Sequence, residues 1–270
     1  MVEKNVLQLE HARQMGHKID FGKTASDYAR FRAGFPDAFF DRLAALGAIA
    51  RGMRALDLGT GTGTVARGLA LRGLDVTGLD KSKELMEAAA ALDREAGVSV
   101  RYVIGAAEDT GMSARSFDIV TAGQCWHWFD RAKAAAEAQR VLKPGGHLII
   151  GNFDWIPLPG NMVDATEKLI ELYNPDWKLG GGLGAHPYVL RDVGIAGFRD
   201  LESCTFDLDA PYTHEAWRGR IRASAGVGAA MRPERVAKFD ADLASILKTR
   251  FPADPMGVPH RVFIAMGTAP

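Results

Sequence analysis

The sequence has 270 residues, enough for one large domain or for a core with a modest appendage. Apolar residues make up 47% and charged residues 24%, which argues against a disordered or collagen-like chain. Lys plus Arg total 33, as do Asp plus Glu, so the net charge is zero. A dedicated nucleic-acid binder would carry a basic surplus, so nucleic acid is not an expected partner.

The chain opens MVEKNVLQLEHARQMG, which mixes charges with apolar residues and shows no secretory h-region. No stretch has the length of a membrane span, so the expectation is a cytoplasmic protein without a membrane partner. The first stretch, to about Gly47, reads as helical and carries a Phe-rich segment from Phe35 to Phe40. An alternation follows. Arg54 to Leu58 reads as a strand, and a Gly/Thr loop leads into a helix from Val65 to Leu71. Asp75 to Asp80 is a second strand. Ser82 can cap a helix running to about Ala96. Val98 to Ile104 and Phe117 to Ala122 are further strands, Arg131 to Leu142 a helix, and His147 to Phe153 a fifth strand.

Strands alternating with helices imply βαβ units and a parallel sheet covered on both faces. After Phe153 the pattern loosens. Helices are expected at Met162–Tyr173, Pro187–Val193, His214–Ser224 and Pro233–Thr249, and strands at Phe198–Leu208 and Arg261–Met266. The expected fold is α/β, with a seven-stranded, mostly parallel Rossmann-like sheet, helices on both faces and a closing antiparallel hairpin. Residues 155–185 would form part of a helical lid. We read residues 1–270 as one domain, with a helical cover at 1–50, a cofactor-binding core at 51–153 and substrate-side elements at 154–270. Cys125 and Cys204 form no CxxC pair, and no His, Cys and acid cluster has metal-ligand spacing, so reduced thiols and no metal are expected.

The informative motif is Leu56-Asp57-Leu58-Gly59-Thr60-Gly61-Thr62-Gly63-Thr64, between the first strand and the following helix. Glycines there permit a tight turn and let a ligand lie against the main chain. The helix N-terminus adds free N–H groups and a positive dipole end. Asp80, about 20 residues on, ends the second strand, where a carboxylate can accept both hydroxyls of a ribose. This geometry suits any adenosine cofactor, and Gly61 to Ala66 also fits the relaxed dinucleotide fingerprint. Asp57 just before the loop suits a cationic ligand better than a pyrophosphate.

From about residue 24 to 155 the chain resembles the class I S-adenosylmethionine-dependent methyltransferases. Leu56–Gly63 looks like the family's first motif, Val76–Asp80 its second, Ser116–Val120 its fourth-strand motif, and Arg140–Leu148 the turn before its fifth strand. Ala122 to Asp130 resembles a small-molecule subgroup that includes enzymes similar to trans-aconitate methyltransferase. The resemblance implies S-adenosylmethionine as cofactor, S-adenosylhomocysteine as product and a small-molecule acceptor. It implies that Gly59, Thr60, Gly61 and Gly63 border the methionine and ribose. Asp57 would face the cofactor amino group, Asp80 would hold the ribose hydroxyls with Lys81 beside it, and Ala107 and Glu108 would lie near the adenine. Gln124, His127 and Trp128 would border the methionine moiety, and Tyr28 and Arg32 would close over its carboxylate. Many relatives carry Asp where Ala106 stands; here either Glu108 replaces it, or main chain and packing hold the adenine.

Other readings stay open. Asp57 can be a buried structural acid, and Asp80 a helix-start acid. His127 fits a cofactor wall or helix cap better than proton transfer, and no catalytic residue is named. Trp155, His186 and Tyr188 are candidates for the substrate side. Arg218 and Arg222 lie in a basic helix that is either a salt-bridged surface or a carboxylate clamp. An NAD-dependent oxidoreductase, or a member using the same cofactor for other chemistry, are the alternative functions. The oligomeric state is not indicated.

Overall fold

The computed structural model describes residues 34–228 and 230–270. In chain order its main elements are α1 (Asp37–Ala45), β1 (Arg54–Leu58), α2 (Thr64–Leu71), β2 (Asp75–Asp80), α3 (Lys83–Glu95), β3 (Arg101–Ile104) and β4 (Phe117–Gly123). A single 3-10 turn (Trp126–Trp128) leads to α4 (Arg131–Val141), β5 (Leu142–Trp155), α5 (Met162–Tyr173) and α6 (Tyr188–Ile195). The chain ends with β6 (Arg199–Tyr212), α7 (His214–Arg222), α8 (Pro233–Arg250) and β7 (Met256–Thr268). Local chemistry sets several helix starts. Ser82 accepts from the Leu85 amide as expected, and Asn161 and Thr213 cap α5 and α7 in the same way.

The seven strands lie in the order β3-β2-β1-β4-β5-β7-β6. Strands β1 to β5 pair in parallel, with Leu56 opposite Thr77 on one side and Val120 on the other. The chain moves outward from β1 through β2 to β3, then returns to the other side of β1 for β4 and β5. Loops leaving the C-terminal ends of β1 and β4 therefore diverge, and a crevice opens at this reversal. Leu56, Leu58, Leu79, Val120, Ala122, Leu148 and Ile150 fill the core around these strands.

One expectation changes. The fifth strand starts at Leu142 rather than His147, because the Gly145 amide donates to Ala269 and the Ala269 amide to Gly146, extending the ladder through the turn. The closing strands pair antiparallel as expected, with β7 between β5 and β6, and α7 and α8 lie between them in sequence.

The described residues form two compact units. The core unit holds Gly34–Phe153, His186–Thr205 and Val262–Pro270. Its Phe-rich segment packs closely on small residues. A Cβ added to Gly151 would stand 2.7 Å from the Phe39 ring, and one on Gly123 3.0 Å from Phe35. Phe40 lies over Gly68 of α2, with the Arg72 guanidinium on the Phe40 ring.

The second unit holds Asp154–Ala185 and Phe206–Arg261. There Phe239, Leu243 and Leu247 of α8 are buried, and Tyr173 of α5 stands edge-on to Phe239 and donates to Asp242. Among the described residues, no helix is long and apolar enough to cross a membrane.

A methyl group on Gly68 would meet the Phe40 ring at 2.0 Å. Gly68→Ala is expected to destabilise the protein by about 1–2 kcal/mol, the overpacking outweighing the ~1 kcal/mol that Ala gains over Gly in a helix. Adding Phe40→Leu should recover most of that loss. Urea denaturation of the two single variants and the double variant measures the coupling, and strict additivity would contradict the packing described.

Candidate functional site

The crevice at the sheet reversal is built around two carboxylates. Asp57 lies next to the last residue of β1 and is 1% exposed. Its Oδ2 accepts from the Thr60 hydroxyl at 2.7 Å and its Oδ1 from the Thr121 hydroxyl of β4 at 2.7 Å. One buried acid thus joins the glycine loop to the neighbouring strand. Burial pushes its carboxyl up to about 6; the Thr121 and Thr60 bonds and the Ala66 main chain oppose the rise, and the Asp80 charge adds to it.

Asp80 closes β2. Its Oδ2 accepts from the Gly61 amide at 2.8 Å and its Oδ1 from the Ser82 amide at 2.9 Å. The carboxylate latches the middle of the loop to the next strand. The loop then turns through Gly63, whose amide donates to Thr60 at 2.8 Å, and enters α2. Gly63 has φ +75°, and a Cβ there would lie 2.4 Å from the Tyr102 hydroxyl. Gly61, at φ +53°, differs: nothing lies within 4 Å of where its Cβ would be. The main chain at Gly61 therefore has an open face.

Lys81 and Glu108 form an ion pair at 3.6 Å, and Glu108 also accepts from the Asp130 amide at 3.0 Å. Ala107 beside it is buried. Gln124 follows β4 with φ +60°, a conformation that disfavours a residue with a Cβ. Its amide donates to Gly151 at 2.9 Å and its side chain to the Phe153 carbonyl. His127 packs on Trp128 with ring centroids 4.3 Å apart.

The glycine loop and Asp57, Thr60 and Asp80 are thus connected by hydrogen bonds, with Lys81 and Glu108 paired beyond them. Tyr28 and Arg32 lie outside the described residues. His186 and Tyr188 sit in the core unit, where His186 meets the Phe263 ring and Tyr188 lies under Arg131. Trp155, Arg218 and Arg222 belong to the second unit. The Trp155 indole donates to Glu167 at 2.7 Å. Arg218 and Arg222 both bind Asp240 and Glu215.

The loop's support was not foreseen from the residue spacing. Arg67 of α2 donates to the Thr62 carbonyl at 2.8 Å and pairs with Asp93 at 2.8 Å. Asp93 in turn accepts from the Tyr102 hydroxyl at 2.7 Å. Burial, followed by the bond to Asp93, raises the Tyr102 phenol above its ordinary value and keeps it a neutral donor. Cys125 donates to the Leu58 carbonyl and, with Phe129, packs on Gly59. Only the alternation of β3 bears on the inward side of Tyr102, and nothing in the spacing joins it to Asp93.

Comparison with known proteins is consistent with this geometry. A family model described as a methyltransferase domain matches residues 56–150. An uncharacterized methyltransferase of Mycobacterium tuberculosis (strain ATCC 25618 / H37Rv) is 40% identical over 130 residues, 48% of this chain and 50% of that protein. The chain therefore spans about half the length of that relative. The 27-O-demethylrifamycin SV methyltransferase of Amycolatopsis mediterranei (strain S699) is 31% identical over 183 residues, 66% of this chain and 64% of that enzyme. Among solved structures, one from Anaeromyxobacter dehalogenans, described provisionally as a type II methyltransferase, superposes with a TM-score of 0.63. It is 25% identical and covers 88% of this chain and 97% of its own. The chain has the class I S-adenosylmethionine-dependent methyltransferase fold.

Asp57 makes the stability of the protein pH-dependent in a defined direction. Its folded value of about 6 lies above the ordinary 3.8. The folded state thus holds the proton more tightly, and the Asp57 contribution is lost as pH rises from about 4 to about 6. Asp57→Asn carries no such titration. Relative to the native protein, the variant should gain up to about 3 kcal/mol between pH 4 and pH 7. Urea denaturation at both pH values measures this, and an unchanged difference would reject the buried, proton-holding carboxyl.

Proposed function

We propose that this protein transfers the methyl group of S-adenosylmethionine to a small-molecule acceptor, releasing S-adenosylhomocysteine. The observation that carries the reading is the glycine loop latched to Asp80 at the sheet reversal, with a buried acid directly before it. The residues present fit the cofactor. The open face of Gly61 offers main chain for a ligand to lie against. Each oxygen of Asp80 accepts one amide, and a carboxylate oxygen has a second acceptor site, so both oxygens retain capacity for ribose hydroxyls. Asp57 and its two threonines give the loop a negative centre suited to a cationic ligand, and a cation beside it would favour its ionised form.

When bound, the cofactor supplies an electrophilic methyl group on a sulfonium centre. The chain's own task is to position the acceptor and to exclude water, which accounts for a large share of rate in reactions of this kind. In this reading Gly59, Thr60, Gly61 and Gly63 border the methionine and ribose. Asp80 holds the ribose, with Lys81 beside it. Ala107 and Glu108 stand near the adenine. Gln124, His127 and Trp128 line the methionine side, and Tyr28 and Arg32 close over its carboxylate. Glu108 meets Lys81 and the Asp130 amide in the structure, so its value for the adenine lies in fixing that wall. No residue is assigned as a base, because an acceptor already anionic needs none.

Calorimetric titration with S-adenosylmethionine, S-adenosylhomocysteine and NADH tests the proposal. Saturable binding of the first two and none of NADH is expected; binding of NADH alone would reject it in favour of an oxidoreductase. Asp80→Asn should weaken S-adenosylhomocysteine binding at least about tenfold, since one charged acceptor contact contributes roughly 1.5–3 kcal/mol. Unchanged affinity would remove Asp80 from the ribose site.

A further inference from the structure

The three arginines of α7 differ in their surroundings. Arg218 and Arg222 are four residues apart, share one helix face and converge on Asp240. Arg220 projects from the opposite face, towards aromatic residues of the same unit. Its guanidinium carbon lies 4.9 Å from the Trp155 ring centre. Around it stand Tyr212, which hydrogen-bonds with it, and the carboxylate of Asp154, which acts on it through space. Trp217 is edge-on to Trp155 at 5.5 Å and to Tyr212 at 5.3 Å, and the buried ring of His260 is stacked 6.0 Å from Tyr212.

Arg220 makes no ion pair among the described residues, unlike its two neighbours on the helix. Desolvation lowers its affinity for the proton; burial above all, with the Arg220 charge a smaller contribution, holds the His260 imidazole at about 4, hence neutral near pH 7. The residue keeps part of its surface accessible. A desolvated guanidinium gains most from a planar oxyanion that takes two of its N–H donors.

We propose that Arg220 binds a small-molecule carboxylate, with the Trp155 face beneath the guanidinium and the aromatic cluster receiving an unsaturated or apolar body. The nearby Asp154 charge disfavours a dianion, so a carboxylate is preferred to a phosphate. Binding of the anion does not depend on the methyl-transfer reading above.

The test is calorimetric titration of the full chain with benzoate, phenyl phosphate and benzamide, each with and without S-adenosylhomocysteine. Benzoate is expected to bind at least tenfold more tightly than benzamide, and more tightly than phenyl phosphate. Arg220→Gln should remove at least tenfold of the benzoate preference while leaving S-adenosylhomocysteine affinity within twofold of native. Equal binding of benzoate and benzamide to the native protein, an undiminished preference in the variant, or tighter binding of phenyl phosphate would overturn the proposal. If Arg220→Gln does not fold, phenylglyoxal modification of the native protein decides. Protection of Arg220 by benzoate, read by peptide mass mapping, supports the assignment, and equal labelling rejects it. Failure to bind S-adenosylhomocysteine counts against the methyl-transfer reading alone, because the titrations without it still report on Arg220.

Discussion

A carboxylate buried at the end of β1 ties together the two chain segments that part at the sheet reversal. Asp57 accepts one hydroxyl from the glycine loop and one from β4. Without it Thr60 and Thr121 would face each other across an unfilled polar gap, and buried hydroxyls that lose their partner are costly. The same placement strips Asp57 of water and raises its proton affinity. Structural and electrostatic roles therefore coincide in one residue. Reading it as a structural acid or as a ligand-facing acid is not a choice between exclusive alternatives.

Around this centre the loop is held from three sides. Asp80 takes the Gly61 amide, Arg67 takes the Thr62 carbonyl, and Cys125 with Phe129 closes on Gly59. The result is a pre-set main chain that is open at Gly61. Pre-organisation of this kind reduces the ordering cost that a ligand would otherwise meet. The Tyr102, Asp93 and Arg67 chain carries the constraint from β3 and α3 into the first turn of α2, so a change at Tyr102 would reach the loop without touching any ligand.

The second unit uses its charges differently. On α7 two arginines are neutralised locally, while the third is placed among aromatic rings. A guanidinium tolerates such surroundings better than an ammonium because it is planar and weakly hydrated. Arg218 and Arg222, the candidates for an anion clamp, are salt-bridged to acids of the same unit, and anion binding is proposed for Arg220 on the opposite face.

Much of the core unit was legible in the sequence. Hydrophobic periodicity marked the strands and helices from β1 to β5, and the glycine spacing marked the loop, because both depend on neighbours along the chain; the bond from the Gly61 amide to Asp80 was not foreseen. The start of β5 was misplaced because Leu142 pairs with Phe117 of β4 and the following glycines bond to Ala269, partners distant along the chain. The Phe-rich segment was visible, but its fit onto Gly68, Gly123 and Gly151 was not. Sequence alone determined the order of elements, the loop and the acid before it, since these follow from local propensity and short-range spacing. The Thr121 bond to Asp57, the support from Tyr102 and the placement of Arg220 among aromatic rings were decided only by tertiary structure. Each depends on which faces of distant elements meet, and on how much water that meeting removes.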